Sequence, residues 1–203
     1  MKNIYFIGIG GIGMSAIARY YNFKGLKVSG YDKTPSELTH ALESEGIEVH
    51  YEDNIDFIPK DVEDTLVVYT PAIPKDMGEL VYVQEHGYRV IKRSRTLGEI
   101  AQGQRCMAVA GTHGKTTTST LVSHLFTASG EGCSAFLGGI SKNYDSNLLI
   151  HVAIPRIEAL TNSIMRYRAI AHKPKDLSRC DCGNNSAQKK PYTQAEIPSF
   201  HLL

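Results

Sequence analysis

Two glycine-rich loops of different type constrain the fold of this chain most strongly. The first, residues 8–13, has the pattern G-x-G-x-x-G, and the second, residues 111–117, contains Gly-Lys-Thr. Each loop follows a short apolar segment and precedes a segment with helical periodicity, so each is predicted to connect a strand to a helix. A glycine loop at a helix N-terminus is suited to bind phosphate. The pair therefore predicts an α/β protein with two phosphate-binding loops.

Strand and helix patterns alternate along most of the chain. Apolar segments rich in β-branched or aromatic residues predict strands at 3–9, 27–31, 65–69, 89–91, 106–110 and 136–140. Helical period and end signals predict helices at 13–23, 36–45, 80–86 and 115–128. Thr96-x-x-Glu99 has the pattern of a capping box, which predicts the start of another short helix. This alternation is typical of a doubly wound, mostly parallel sheet.

The chain is predicted to contain two domains and a tail. Residues 1–102 form a Rossmann-like parallel-sheet domain, and residues 103–159 begin a second, P-loop α/β domain, with Gln102-Gly103-Gln104 at the boundary. Residues 160–203 differ in character, because they contain seven Lys or Arg against three Asp or Glu and have no sustained amphipathic period. The tail therefore does not resemble the continuation of an α/β domain.

Composition and charge exclude several classes of partner. The net charge is +1, which gives no indication of nucleic-acid binding. The longest N-terminal apolar stretch, residues 4–9, is too short for a signal peptide or a membrane span. The four cysteines have no framework spacing, as expected in a reducing compartment. We expect a cytoplasmic protein without nucleic-acid or membrane partners.

The first loop has the features of a diphosphate-binding turn. Gly8 permits the tight turn, Gly10 lets backbone N–H groups approach a diphosphate, and Gly13 lets the helix pack on the strand. The candidate binding residues of this loop are Gly10, Gly11, Ile12 and Gly13. A tight turn without a ligand is the alternative interpretation.

Two further residues are predicted to belong to the same pocket. Asp32 lies about 20 residues beyond the loop, at the end of the second strand, where a carboxylate can accept a hydrogen bond from a ribose hydroxyl. Thr70 opens the stiff segment 70–74, which follows the third strand. This segment either lines the pocket or serves only as a rigid connection.

The second loop has the chemistry of a nucleoside triphosphate site. Lys115 can reach the outer phosphates, and the Thr116 hydroxyl can bind Mg²⁺. Val109 occupies the position of the first glycine in the full P-loop pattern, yet the shorter loop keeps the cradle of N–H groups. The candidate residues are consecutive: Gly111, Thr112, His113, Gly114, Lys115, Thr116 and Thr117.

Two groups of polar residues admit both a functional and an ordinary explanation. His113 is either a general base or, as we favour, a surface residue whose backbone matters more than its ring. Lys92, Arg93 and Arg95 form a basic cluster. Such a cluster is usually a solvated surface, and steering of an anion is the less favoured alternative.

The residues around both loops resemble the Mur ligase family. The motifs that carry the resemblance are Phe-Ile-Gly-Ile-Gly-Gly-Ile-Gly-Met-Ser at 6–15 and Ala-Val-Ala-Gly-Thr-His-Gly-Lys-Thr-Thr-Thr at 108–118, with support from residues 28–32, 70–73 and 138–140. The resemblance covers roughly residues 1–150. It implies that the first loop, with Asp32 and Thr70, holds a UDP-sugar. It also implies that the second loop holds ATP, with Lys115 on its phosphates and Thr116 on Mg²⁺ as the catalytic pair.

The resemblance also implies a reaction. The form of the first motif favours the alanine-adding members, which act in peptidoglycan synthesis. In that chemistry ATP phosphorylates the lactyl carboxylate of UDP-N-acetylmuramate, and the amine of L-alanine attacks the acyl phosphate. Two other classes stay open. An NAD-dependent dehydrogenase would use Asp32 but has no role for Gly-Lys-Thr, and the third class is a non-catalytic nucleotide-binding fragment.

The resemblance ends near residue 160. The family continues with an acidic Glu-Ala-Asp-Glu segment for magnesium, a later Asp-His segment and a C-terminal domain. Here Glu158-Ala159 is followed by Leu-Thr-Asn-Ser-Ile at 160–164. Codons for Ala-Asp-Glu-Phe-Asp, read one base late, can encode Leu-Thr-Asn-Ser-Ile, so we hypothesise that the tail is frameshifted. We expect that this chain alone does not complete the ligation.

Overall fold

The structure is a computed structural model that describes residues 1–151 and 200–202. The strands are β1 (Asn3–Ile7), β2 (Lys27–Tyr31), β3 (Glu48–His50), β4 (Thr65–Tyr69), β5 (Arg89–Lys92), β6 (Arg105–Met107), β7 (Ser134–Ser141), β8 (Ser146–Leu149) and β9 (Phe200–Leu202). The helices are α1 (Ile12–Phe23), α2 (Glu37–Ser44), α3 (Gly78–Glu85), α4 (Arg93–Ala101) and α5 (Lys115–Ala128), with one turn of 3-10 helix at Ile55–Phe57.

The first five strands form a parallel sheet. Their order is β3-β2-β1-β4-β5, and every pair of neighbours is parallel. The chain moves to one side of β1 for β2 and β3, and to the other side for β4 and β5. This reversal beside β1 is the position at which open α/β sheets bind ligands, beyond the carboxyl ends of the strands. The Rossmann-like fold expected from the sequence is confirmed.

The core explains why β1 is apolar along its length. Ile4, Tyr5, Phe6 and Ile7 are completely buried, because helices cover both faces of the sheet. On one face, helices α1, α2 and α4 contribute apolar residues such as Ile17 to the same cluster as Phe6. On the other face, α3 packs over Tyr5 and Ile7.

The second sheet has the order β6-β9-β7-β8. Strands β6, β9 and β7 are parallel, and β7 and β8 form an antiparallel hairpin. Helix α5 packs against β7, with Val122 and Phe126 against Leu137. The hairpin also packs on α1, because Phe136 and Leu148 belong to the same apolar cluster as Ile17. This contact brings the two glycine loops to the same side of the molecule.

The predicted tail lies almost entirely outside the described residues. The segment at 160–164, on which the frameshift hypothesis rests, belongs to that part. Strand β9 is the exception, because residues 200–202 pair with β6 and β7. No strand is predicted there from the sequence. Within residues 1–151 no helix has the length and apolar character needed to cross a bilayer.

Several predicted element bounds differ from the structure. The strand predicted at 3–9 ends at Ile7, because Gly8 takes a positive φ of 89°. The strand predicted at 106–110 is β6 and ends at Met107. The capping box at Thr96 is wrong: α4 begins directly after β5, and the buried Thr96 hydroxyl donates to the Lys92 carbonyl 3.2 Å away. No loop separates β5 from α4, so the helix starts a turn earlier than the pattern indicates.

Candidate nucleotide-binding site

The first glycine loop is held together by Asp32. The Gly10 N–H donates a hydrogen bond of 2.7 Å to Asp32 Oδ2. A Cβ atom at Gly10 would lie 2.8 Å from the same oxygen, so only glycine permits this approach. Asp32 Oδ1 receives a single long bond of 3.4 Å from the Thr34 N–H. Asp32 therefore holds the loop through Oδ2, and Oδ1 can accept a further hydrogen bond.

Thr70 packs against the start of the same loop. A Cβ atom at Gly8 would lie 3.0 Å from Thr70 Cγ2 and 3.2 Å from Ile73 Cδ1. The loop after β1 and the segment after β4 are therefore in contact, as expected where the strand order reverses. Between the two explanations considered for this segment, the structure brings Thr70 to the pocket.

Helix α1 begins at this loop without a side-chain cap. Gly11 is the N-cap residue, with extended backbone angles, and no side chain accepts a hydrogen bond from the first turn. The first N–H groups of a helix have no carbonyl partner within it, and they favour an anion. The backbone groups of Ile12 and Gly13 are therefore suited to bind a phosphate.

Gly13 makes room for Arg93. A Cβ atom there would lie 2.8 Å from Arg93 Nη1 and 3.3 Å from Arg93 Cζ. The three atoms nearest to that position all belong to this arginine, at the start of α4. The expectation that Gly13 lets helix α1 pack on the strand stays a prediction.

The second loop also leads into an uncapped helix. Gly114 is the N-cap residue of α5 in the left-handed conformation, with φ of 77°, and no side chain caps the helix. The Lys115 ammonium donates hydrogen bonds to the carbonyls of Gly111 (2.6 Å) and Thr112 (3.1 Å). The lysine side chain thus folds over its own loop. A bound phosphate would replace the two carbonyls as the hydrogen-bond acceptor of the ammonium group.

The glycines of segment 138–140 explain how Thr116 is placed. A Cβ atom at Gly138 would lie 2.8 Å from Thr116 Oγ1, and one at Gly139 would lie 3.3 Å from Thr116 Cγ2. Strand β7 therefore approaches the first turn of α5 closely because it carries no side chains there. Gly138 and Gly139 thus leave room for the Thr116 hydroxyl beside the second loop.

Both loops line one cavity of about 490 Å³. The predicted site residues that line it are Gly11, Ile12, Gly13, Thr70, Lys115 and Thr116. Arg93 and Gly138 also line it. Gly10 and Asp32 do not line the cavity but support its wall through their hydrogen bond. The remaining residues of the second loop are exposed and do not line it: Gly111, Thr112, His113, Gly114 and Thr117.

Arg93 is the residue that the sequence interpretation undervalued. The sequence favours a solvated surface for the cluster of Lys92, Arg93 and Arg95, yet Arg93 lines the cavity. Its position in the sequence could have indicated this role, because Arg93 directly follows β5. The carboxyl ends of parallel strands meet at one edge of the sheet, so the first residue beyond such a strand is near the ligand crevice.

Comparisons with known proteins identify the family of this chain. Residues 3–105 match the family described as "Mur ligase family, catalytic domain". The chain belongs to the Mur ligase family. This Mur ligase chain is 60% identical over 153 residues to a UDP-N-acetylmuramate–L-alanine ligase of Porphyromonas gingivalis, which covers 74% of this chain and 34% of that protein. It is 59% identical over 151 residues to the ligase of the same name from Flavobacterium psychrophilum, covering 73% and 34%.

Solved structures of Mur ligases have the same fold. The UDP-N-acetylmuramate-alanine ligase of Thermotoga maritima aligns with a TM-score of 0.67 at 32% identity, over 72% of this chain and 34% of that one. A UDP-N-acetylmuramate:L-alanyl-gamma-D-glutamyl-meso-diaminopimelate ligase from Neisseria meningitides aligns with a TM-score of 0.66 at 27% identity, over 73% and 46%. The chain thus spans about a third of the length of the curated relatives it matches.

Proposed function

We propose that this chain supplies the two nucleotide loops of an ATP-dependent ligase in peptidoglycan synthesis. The ligase joins L-alanine to the lactyl carboxylate of UDP-N-acetylmuramate through an acyl phosphate, with release of ADP and phosphate. One observation carries the proposal: both glycine loops line a single cavity. The names of the relatives, at 51–60% identity, support the alanine-adding reaction. Because the reaction consumes ATP, the proposal includes the cytoplasmic location expected from the sequence.

The proposed chemistry needs this proximity. A carboxylate is a poor electrophile until one of its oxygens becomes a good leaving group, and phosphorylation by ATP provides that group. Phosphoryl transfer depends mainly on positioning and on neutralisation of charge. Two phosphate-binding loops on one cavity allow the γ-phosphate of ATP to lie beside the carboxylate of the sugar nucleotide.

The first loop has the groups to hold the UDP-sugar. In this proposal the N–H groups of residues 11–13 bind its diphosphate at the N-terminus of α1. Asp32 Oδ1, whose bond to the Thr34 N–H is long, accepts a hydrogen bond from a ribose hydroxyl. Thr70, which also lines the cavity, contacts the ligand beside this loop.

The second loop has the groups to hold ATP. Lys115 leaves the two carbonyls that it contacts and binds the outer phosphates. The Thr116 hydroxyl, which lines the cavity, is the proposed protein ligand of Mg²⁺. Within residues 1–151 no three His, Cys, Asp or Glu side chains are clustered for a metal, so in this part the ion depends on Thr116 and the phosphates. When bound, Mg²⁺ neutralises phosphate charge.

A thermal-denaturation screen with three ligands tests the proposal. UDP-N-acetylmuramate and Mg-ATP should each raise the midpoint of unfolding of the full chain. At a ligand concentration of 100 times Kd, the added free energy of unfolding is about 2.7 kcal/mol. NAD should have no effect. Stabilisation by NAD, without any by UDP-N-acetylmuramate, would contradict the proposal and favour a dehydrogenase.

A further inference from the structure

Arg93 differs from the other two members of the basic cluster. Arg95 Nε lies 3.4 Å from Glu99 Oε1, and Lys92 is an exposed N-cap residue of α4. Both belong to the solvated surface expected from the sequence. Arg93 instead lines the cavity between the two glycine loops.

The guanidinium of Arg93 lies against the first loop. Its Nη1 atom occupies the space beside Gly13, 2.8 Å from where a Cβ atom would be. This contact is with the first turn of α1, whose N–H groups have no side-chain cap. The positive group and the uncapped helix turn therefore face the same part of the cavity.

The charge of Arg93 is not neutralised by the described part of the protein. Among residues 1–151 its guanidinium has neither an ion-pair partner nor a hydrogen-bond acceptor, although the side chain is only partly exposed. A partly buried cation is favourable when an anion accompanies it. Arginine is always charged and donates two parallel hydrogen bonds to phosphate oxygens.

The fold holds Arg93 at this position. Strand β5 ends at Lys92 and α4 begins at Arg93, so no flexible loop separates the arginine from the sheet. The backbone of Arg93 is therefore held at the carboxyl edge of the sheet, where its side chain begins.

We infer that Arg93 binds the diphosphate of the nucleotide-sugar at the first loop, and not the triphosphate at the second. The inference rests on the proposed function. It adds a charged side chain beside the glycine backbone to the site that recognises a nucleoside diphosphate. Contact with Gly13 favours the first loop, because that glycine lies in the first turn of the helix on which the diphosphate would lie.

Calorimetric titration of the full chain with UDP tests this inference. Arg93→Ala should weaken UDP binding about 10- to 100-fold, as expected for loss of hydrogen bonds to a charged group. Arg93→Lys should recover part of the affinity, because it restores the charge but not the paired donors. Arg95→Ala, the matched control in the same helix turn, should leave UDP binding unchanged. Mg-ATP binding should change less than twofold in every variant.

Each alternative result has a defined meaning. Equal UDP affinity in Arg93→Ala and the unchanged chain overturns the inference and leaves the proposed function intact. Loss of Mg-ATP affinity instead of UDP affinity also overturns it and assigns the arginine to the second loop. Failure of the unchanged chain to bind UDP overturns the proposed function together with the inference. An equal midpoint of thermal unfolding without ligand shows that each variant is folded.

Discussion

Gly10 shows how a single residue determines the shape of the first loop. Its N–H bonds to Asp32, and the space where a Cβ atom would lie is bounded by Asp32 Oδ2 and Thr39 Cγ2, both at 2.8 Å. Thr39 is itself completely buried, so it has little freedom to move. The glycine is required here by close approach of two neighbouring side chains.

Replacement of Gly10 by alanine should therefore destabilise the fold. We expect Gly10→Ala to lower the free energy of unfolding by about 1–3 kcal/mol, the usual cost of overpacking. Gly98→Ala is the matched control, because Gly98 lies inside α4 with open space around its Cα. It should raise the free energy of unfolding by roughly 0.5–1 kcal/mol through helix propensity. Urea unfolding of both variants is the measurement, and equal effects would contradict this account.

A second residue, Glu79, organises the opposite face of the sheet. It is completely buried and accepts hydrogen bonds from the Tyr5 hydroxyl (2.6 Å) and the Asn54 N–H (3.1 Å). His50 Nε2 lies 2.9 Å from Glu79 Oε1, the oxygen that also accepts from the Asn54 N–H. The carboxyl group thus has partners on both of its oxygens.

Loss of this carboxyl group should be costly. Glu79→Ala removes the carboxylate to which the Tyr5 hydroxyl and the Asn54 N–H donate and which His50 Nε2 contacts. The free energy of unfolding should therefore fall by about 3 kcal/mol or more. The control is Glu85→Ala in the same helix, because Glu85 is exposed. It should change stability by less than about 0.5 kcal/mol. If both variants unfold at the same urea concentration, the buried network does not stabilise the protein.

Among the elements, hairpin strand β8 is joined to helix α1 by a buried asparagine. The Asn147 amide donates to the Ile12 carbonyl (2.6 Å) and the Ser15 hydroxyl (2.8 Å), and its oxygen accepts from Arg19. Asn147 is completely buried. Since Ile12 is the first residue of α1, this contact connects the second sheet to the helix that bears the first loop.

Asn147→Ala should weaken that connection. It removes the donor to the Ser15 hydroxyl, one of the donors to the Ile12 carbonyl and an acceptor of Arg19. We expect a loss of about 2–4 kcal/mol in the free energy of unfolding. Asn143→Ala, in the exposed turn of the same hairpin, is the control and should have no measurable effect. Hydrogen exchange should also show faster exchange in the first turns of α1 for Asn147→Ala alone. Unchanged exchange in α1 would contradict the proposed connection.

The elements also show which parts of the fold could be predicted from sequence. Strands β2 and β4 and helix α5 have the predicted bounds, because apolar periodicity and glycine ends are strong local signals. Strands β3 and β8 were missed, since each has three or four residues and takes its conformation from pairing with a neighbour. The start of α4 depends on its direct junction with β5, which no capping pattern indicates.

The same distinction applies to the site. The two loops could be located because phosphate binding requires glycines at fixed spacing, and Asp32 because it ends a strand. Arg93 and Asn147 could not be assigned, because their roles arise from contacts between segments that are distant in sequence. Arginine and asparagine are mostly surface residues, so the residue type alone does not indicate these roles.

At the scale of the whole molecule, buried tyrosines limit stability at high pH. Burial and the nearby Glu79 raise the pKa of Tyr5 far above its ordinary value of 10.0, and burial raises the pKa of Tyr21 to about 12. A raised pKa in the folded state gives stability that is complete below the unfolded value, near pH 10, and is lost as the pH rises above it. The folded protein retains protons there that the unfolded chain releases.

Urea unfolding between pH 9 and pH 12 should therefore show falling stability. Tyr5→Phe removes one of the groups, so the variant should be less stable at pH 9 but should lose stability less steeply above pH 10. The slope against pH is the informative quantity, since the lost hydrogen bond to Glu79 shifts the whole curve. Equal slopes for both proteins would show that Tyr5 ionises without unfolding.

At the scale of the whole molecule, we propose that two phosphate-bearing ligands lie side by side in one cavity. Contact of the β7–β8 hairpin with α1 brings the second loop to the first, and Lys115, Thr116 and Gly13 line the same space. A test must therefore measure the distance between the two bound ligands and not only their affinities.

Paramagnetic relaxation by Mn²⁺, bound with ATP in place of Mg²⁺, measures that position directly. With both ligands bound to the full chain, the lactyl methyl protons of UDP-N-acetylmuramate should relax faster with Mn-ATP than with Mg-ATP. Lys115→Ala should abolish the difference by weakening ATP binding, while UDP-N-acetylmuramate still binds. If both ligands bind the unchanged chain and the lactyl relaxation is the same with either metal, the two loops do not serve one reaction site.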